Sequence, residues 1–322
     1  MKRRRIVMAD TIPGDLSTLI PDFLDHRRLR GTSANTIAAY RADLTMLVSF
    51  LDRFDVTLVQ LVSERLVNLW LDDGMRHMKW ARRTAARRLA AVRTFMLWCR
   101  MQGLMQHDAT RDVRIKFRQR TVVAPELEPL KAMIASIGER APIDIRDRAM
   151  LLLMLDGALR ASEVALLDDA PVSRNGFTVL EESQRVYVRP KGGEDDDFEV
   201  VGIEPVTVRA VQAWRRTRDK MALPGEAALF VNGTGRRLSR QSVYLMVRER
   251  GRVAGMPGLH PHMLRHRRLG EVVERAGLDA GAAHARHKHK STTVNVYGAH
   301  AAEVQRAAIR TLAPLGELPC NA

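Results

Sequence analysis

Four short stretches of this 322-residue sequence gather side chains that can neutralise anions and move protons. Leu155-Asp156-Gly157-Ala158-Leu159-Arg160-Ala161-Ser162-Glu163-Val164 sets a carboxylate three residues after an arginine. His260-Pro261-His262-Met263-Leu264-Arg265-His266 places three histidines around a second arginine. Lys191, in Pro190-Lys191-Gly192-Gly193, is the only lysine between Lys131 and Lys220. His287-Lys288-His289-Lys290-Ser291-Thr292-Thr293-Val294-Asn295-Val296-Tyr297 ends in one of only four tyrosines, the others being Tyr40, Tyr187 and Tyr244. Attack on a phosphodiester needs a nucleophile, cations on the non-bridging oxygens and a proton for the leaving oxygen. These stretches offer candidates for each. A phenol of pKa near 10 is ionised only about one part in a thousand at pH 7, a deficit of roughly 4 kcal/mol. Loss of one preorganised charge-stabilising donor typically costs about 3–4 kcal/mol, so two arginines with helpers match that deficit in scale.

Such groups need elements to hold them. From Leu16 to Leu104 the pattern is helical, with Leu16, Leu19, Ile20, Phe23 and Leu24 at three- and four-residue steps. Helix-start chemistry at Thr32-Ser33-Ala34-Asn35-Thr36 precedes a face of Ile37, Tyr40, Leu44, Leu47 and Leu51. Further helices are predicted from Glu64 to Leu71 and from Arg82 to Gln102, where Gly103 ends the run. Residues 106 to 125 are poor in large apolar groups and basic, as a linker would be. Beyond it, helices are predicted at Leu127 to Ile137, Ile145 to Asp156, Ala161 to Leu167, Val206 to Ala222, Ser239 to Ala254, Met263 to Ala276 and Ala301 to Leu312. Alternation at Arg185 to Arg189 and renewal at Phe198 to Val201 predict a β-hairpin with Lys191 at its tip.

Composition limits the partners. Lys and Arg outnumber Asp and Glu by 52 to 37, a formal charge of +15. That excess repels itself unless a polyanion answers it, and nucleic acid does so with release of counterions. Cys99 and Cys320 are too few for a disulfide framework or zinc site, which fits a reducing, cytoplasmic setting. The sequence has no long apolar run suited to a membrane span, and the acidic Glu194-Asp195-Asp196-Asp197 is contiguous rather than dispersed as in a metal-dependent nuclease.

Together the boxes resemble those of the tyrosine recombinases, the phage-integrase family of simple Xer-like type. Leu24 to Leu51, with Asn35-Thr36-Ile37-Ala38-Ala39-Tyr40-Arg41-Ala42-Asp43-Leu44, resembles that family's core-binding domain, and Leu229-Phe230-Val231-Asn232 also has its counterpart. Two stretches depart from the family pattern. Ala282-Ala283-His284-Ala285-Arg286 replaces an apolar segment ending in Leu-Gly, and Arg267-Arg268 replaces a small or hydroxylated residue and an aromatic.

The resemblance implies a mainly α protein with a small β-sheet, closed as a C-shaped clamp around duplex DNA. Its parts would be a basic arm (1–15), a helical SAM-like core-binding domain (16–105), a basic linker (106–124) and a catalytic domain with a tail helix (125–322). It implies Tyr297 as nucleophile, Arg160 and Arg265 on the scissile phosphate, Lys191 as general acid and His262 as general acid/base. His287 would donate to a phosphate oxygen, with His284 and His289 as alternatives, and Glu163 and His266 would support the site. Arg41, Arg82, Arg83 and Arg87 are candidate DNA contacts. No metal, ATP or nucleotide cofactor is needed, because the ester formed has about the energy of the bond broken. The expected partners are a specific recombination site and further copies of the chain, as dimers on DNA and a tetramer at synapsis, with accessory proteins unspecified. The rivals are a type IB topoisomerase and a DNA-binding protein without catalysis.

Overall fold

A computed structural model describes residues 14–117, 125–169, 178–180, 184–188 and 198–286. Contacts divide the chain into two units, Met1–Arg120 and Thr121–Ala322. The first is a bundle of α1 (Leu16–Leu29), α2 (Ala34–Leu51), α3 (Glu64–Arg76) and α4 (Arg82–Met101). Short polar caps start three of these helices. Asp15, Ser33 and Ser63 accept from the amides of Ser17, Thr36 and Leu66. The residues of the predicted stripes meet in one core: Phe23, Leu24, Leu44 and Leu51 are wholly buried with Val92, Phe95 and Cys99. Met105 and Val113 join that core, and the Arg93 guanidinium donates to the Thr110 and Val113 carbonyls. Met105 and Val113 thus pack within the first unit.

The second unit holds α5 (Leu127–Ala135), α6 (Pro142–Asp156), α7 (Ala161–Leu166), α8 (Pro205–Arg218), α9 (Arg240–Val253), α10 (Pro261–Ala285) and a small sheet. Every residue of α6 from Ala149 to Asp156 is buried, which makes it the central helix, packed on α8, α10 and α7. Pro142, Pro205 and Pro261 each open a helix where a missing N–H costs nothing. The sheet is antiparallel in the order β1 (Thr178–Leu180), β2 (Arg185–Val188), β3 (Glu199–Gly202), with Val188 opposite Glu199. It has one strand more than the predicted hairpin. The expected mainly α fold with a small sheet is therefore the one observed.

Helix α10 runs past the predicted end at Ala276 because two helices join at Gly277, whose φ of 85° and ψ of 174° lie outside helical space. Only glycine takes that conformation without penalty. The chain folds back there. Arg265 donates to the carbonyl of Ala285, 20 residues on, a pair that a straight helix would hold about 30 Å apart.

Candidate active site

Two helix beginnings form the site. Arg160 is the N-cap residue of α7, and Glu163, one turn later, returns to accept its backbone N–H at 2.8 Å and its Nη1 at 2.5 Å. The carboxylate is buried and shared, since Arg286 Nη2 also reaches Glu163 Oε2 at 2.6 Å. Just before Arg160, Ala158 is wholly buried with φ at 49°, a left-handed conformation that costs an alanine roughly 1 kcal/mol. That turn presents the Ala158 carbonyl to Arg265.

Arg265 comes from the second turn of α10, where Leu264 and Leu269 are buried on either side of it. It is 3% exposed, and its guanidinium donates to the carbonyls of Ala158 and Ala285. One arginine thus ties the α6–α7 turn to the end of α10. His262 and His266 stand on the same helix. The rings of His260 and His262 stack at 6.5 Å, and His266 meets His262 edge-on at 6.3 Å. Burial lowers the pKa of His262 below the ordinary 6.5, and Arg265, His260 and Arg160 lower it further. His262 therefore lies in the field of both arginines and is neutral at pH 7, able to accept a proton. Burial lowers His266 in the same direction, with His262 adding to it.

The structure brings together Arg160, Glu163, His262, Arg265 and His266. Lys191, His287, His289, Tyr297, the acidic run Glu194 to Asp197 and the tail helix Ala301 to Leu312 lie outside the described residues.

In the first unit Arg41, Arg82, Arg83 and Arg87 are all exposed. Arg82 Nη1 donates to the Lys116 carbonyl at 3.4 Å, and Arg83 lies over the Phe117 ring at 5.7 Å. Arg87 grips buried Asp43 through two bonds of 2.5 and 2.8 Å, while half its side chain stays in solvent. Sequence reasoning missed the neighbour Arg88, which stacks on Trp80 at 4.1 Å and faces the same Asp43 at 3.7 Å. The signal was present: Asp43 adjoins Leu44 on the buried stripe, where a carboxylate requires cations.

Both departures noted in the sequence have structural partners. Arg268 is held by Asp156 at 3.0 Å, Glu204 at 3.0 Å and Glu271 at 3.3 Å, joining α10 to α6 and the start of α8. His284 is half-buried beside this cluster, and its buried Nε2 has no hydrogen-bond partner among the described residues. Burial first, then Arg268 and Arg286, lowers its pKa to about 4. The unfolded chain, with a histidine near 6.5, takes up the proton first. Stability that is complete above pH 6.5 is therefore lost as pH falls toward 4, by about 3 kcal/mol through this residue alone. His284→Leu is expected to shrink the stability difference between pH 7 and pH 4.5 by about 2 to 3 kcal/mol in urea denaturation. An unchanged difference would show that the fold does not hold this imidazole neutral.

Comparison with known proteins places both units. Residues 126–303 match the phage integrase family, and residues 20–103 match the phage integrase N-terminal SAM-like domain. The tyrosine recombinase XerD of Mycobacterium tuberculosis is 30% identical over 301 residues, spanning 88% of this chain and 93% of its own. The tyrosine recombinase XerC of Roseiflexus castenholzii is 29% identical over 278 residues, spanning 83% and 84%. Among solved structures, the Tn1549 transposon integrase in complex with circular intermediate DNA has a TM-score of 0.73 at 15% identity, covering 92% of this chain and 99% of that one. XerH site-specific recombinase bound to palindromic difH substrate, in a post-cleavage complex, has a TM-score of 0.68 at 16% identity, covering 91% and 84%. At such identities these likenesses establish the fold.

Proposed function

Because the chain belongs to the phage integrase family, we propose that Arg160, Lys191, His262, Arg265, His287 and Tyr297 are its catalytic set. The chain is a site-specific DNA recombinase, which cleaves and rejoins DNA through a 3′-phosphotyrosyl intermediate. In the assignment offered here the Tyr297 oxygen attacks the scissile phosphorus and its proton passes to His262. The bond to the 5′-oxygen breaks, and Lys191 protonates that oxygen as it leaves. Arg160 and Arg265 carry the charge on the non-bridging oxygens, helped by a hydrogen bond from His287, and Glu163 and His266 hold these groups in place. Reversal by a 5′-hydroxyl of another strand completes the exchange, with no energy source needed.

One observation supports the assignment: His262 stands one turn before Arg265 on α10, and Arg265 bonds the Ala158 carbonyl two residues before Arg160 at the start of α7. The permanent charge and planar fork of guanidinium suit a phosphate that must be held through a change of geometry.

We assign residues 16–105 to core binding and 125–322 to catalysis and the tail. The partner is double-stranded DNA bearing a specific site, engaged by dimers that pair into a tetramer at synapsis, in the cytoplasm. The formal charge of +15 and the exposed Arg41, Arg82 and Arg83 support DNA as partner. The test uses suicide DNA substrates built from the sequence flanking the gene, whose cleaved strand cannot be rejoined. Peptide mapping of the trapped adduct is expected to find DNA on Tyr297. An adduct on another residue overturns the assignment, and relaxation of plasmids lacking any such site would favour the topoisomerase.

A further inference from the structure

Arg286 stands where α10 ends, in the left-handed region at φ 51° and ψ 50°. Its side chain is 3% exposed, and its guanidinium is taken up by protein acids. It points at two acids from different elements. Nη2 reaches Glu163 Oε2 at 2.6 Å, and Nε lies 3.4 Å from Glu199 Oε2 on β3. Nη1 approaches the Gly157 carbonyl at 3.5 Å. Each partner leads to a different part of the site. Glu163 holds Arg160. Glu199 begins the strand that follows Lys191, and Arg286 itself immediately precedes His287 in the sequence.

The charges explain why an arginine is needed. Burial raises the pKa of Glu199 and the neighbouring Glu163 carboxylate adds to it, while Arg286 opposes both. Without a second cation, Glu163 would rely on Arg160 alone, and an under-neutralised carboxylate would compete with the DNA phosphate for that guanidinium. The guanidinium hydrogen-bonds Glu163 through Nη2 and stands at ion-pair distance from Glu199, so one planar cation serves both acids.

We propose that Arg286 is a positioning residue for DNA cleavage: by bridging Glu163 and Glu199 it sets the aim of Arg160 and locks α7, β3 and the end of α10 into one frame. The proposal rests on the catalytic reading above. It assigns a use to one of the two stretches in which the sequence departs from the family pattern.

The test compares Arg286→Met, Arg286→Lys, Glu199→Gln and the Arg286→Met/Glu199→Gln double variant in the full-length chain. Single-turnover cleavage of the suicide substrate by Arg286→Met is expected to fall roughly 10- to 100-fold, the scale of a slight misplacement of a catalytic group. Binding of the same DNA by gel shift should stay within about threefold, because the Arg286 guanidinium faces Glu163 and Glu199 rather than a phosphate. Arg286→Lys should recover part of the rate. The double variant should be no slower than Arg286→Met, since both changes remove one contact. Glu199 is only partly buried, so Glu199→Gln and Arg286→Lys keep the test decisive if Arg286→Met does not fold. Wild-type cleavage by the folded variants overturns the proposal, as does a loss of rate matched by an equal loss of binding. Adduct formation at Tyr297 in the unmodified chain tells the two readings apart: its absence sinks the catalytic assignment, while a normal adduct in Arg286→Met sinks only the role of Arg286.

Discussion

Tyr297→Phe is expected to leave binding to the recombination site unchanged and to abolish the covalent protein–DNA adduct, slowing strand cleavage by roughly 10⁴-fold or more. The substitution deletes one oxygen atom. It keeps the ring, and so whatever packing the ring provides, and it removes no positive charge, so phosphate contacts and the salt dependence of binding persist. Only the atom proposed to bond to phosphorus is gone. Any cleavage that remained would need water as nucleophile and would leave a free 3′-phosphate. The measurement is denaturing electrophoresis of end-labelled suicide substrate with gel shifts alongside. A phenylalanine variant that still crosslinks to DNA would remove Tyr297 from the mechanism.

Arg265→Ala should cost about 10²- to 10³-fold in cleavage, the usual effect of deleting one preorganised donor to a developing negative charge. Unlike the tyrosine change, it also costs stability. The guanidinium is buried and donates to the carbonyls of Ala158 and Ala285, and alanine leaves both acceptors without that donor. At about 1–3 kcal/mol for each orphaned buried acceptor, a lowered denaturant midpoint should accompany the lost rate. Arg265→Lys keeps the charge and gives up the fork, so it should fall between the two. Rates are to be compared at a temperature where each variant is folded. The salt slope of DNA binding should fall by about one, for a single phosphate contact removed. Cleavage within threefold of the unmodified chain would return Arg265 to a purely structural part.

The stripes and boxes were legible because their signals are local. Leu16, Leu19, Phe23 and Leu24 recur at helical spacing, and all are buried. Arg160 and Arg265 were found by motif and meet in the fold through the Ala158 turn, which no periodicity reports. Strand β1 was missed because three residues in a polar stretch carry too little alternation to stand out. The second half of α10 was missed because Ala280, Ala282, Ala283 and Ala285 give no contrast between faces. Arg286 and Glu199 lie 87 positions apart in sequence, and only the packed chain reveals that they pair.

The reversal at Gly277 turns the eight residues after it into a ruler. They run from a fixed hinge to Ala285, whose carbonyl Arg265 holds, and in sequence Arg286, His287 and the proposed nucleophile Tyr297 follow. Adding or removing one residue between 278 and 285 would rotate everything downstream by about 100° and shift it by about 1.5 Å. Side chains in this stretch are therefore free to vary wherever they face outward, whereas its length is not.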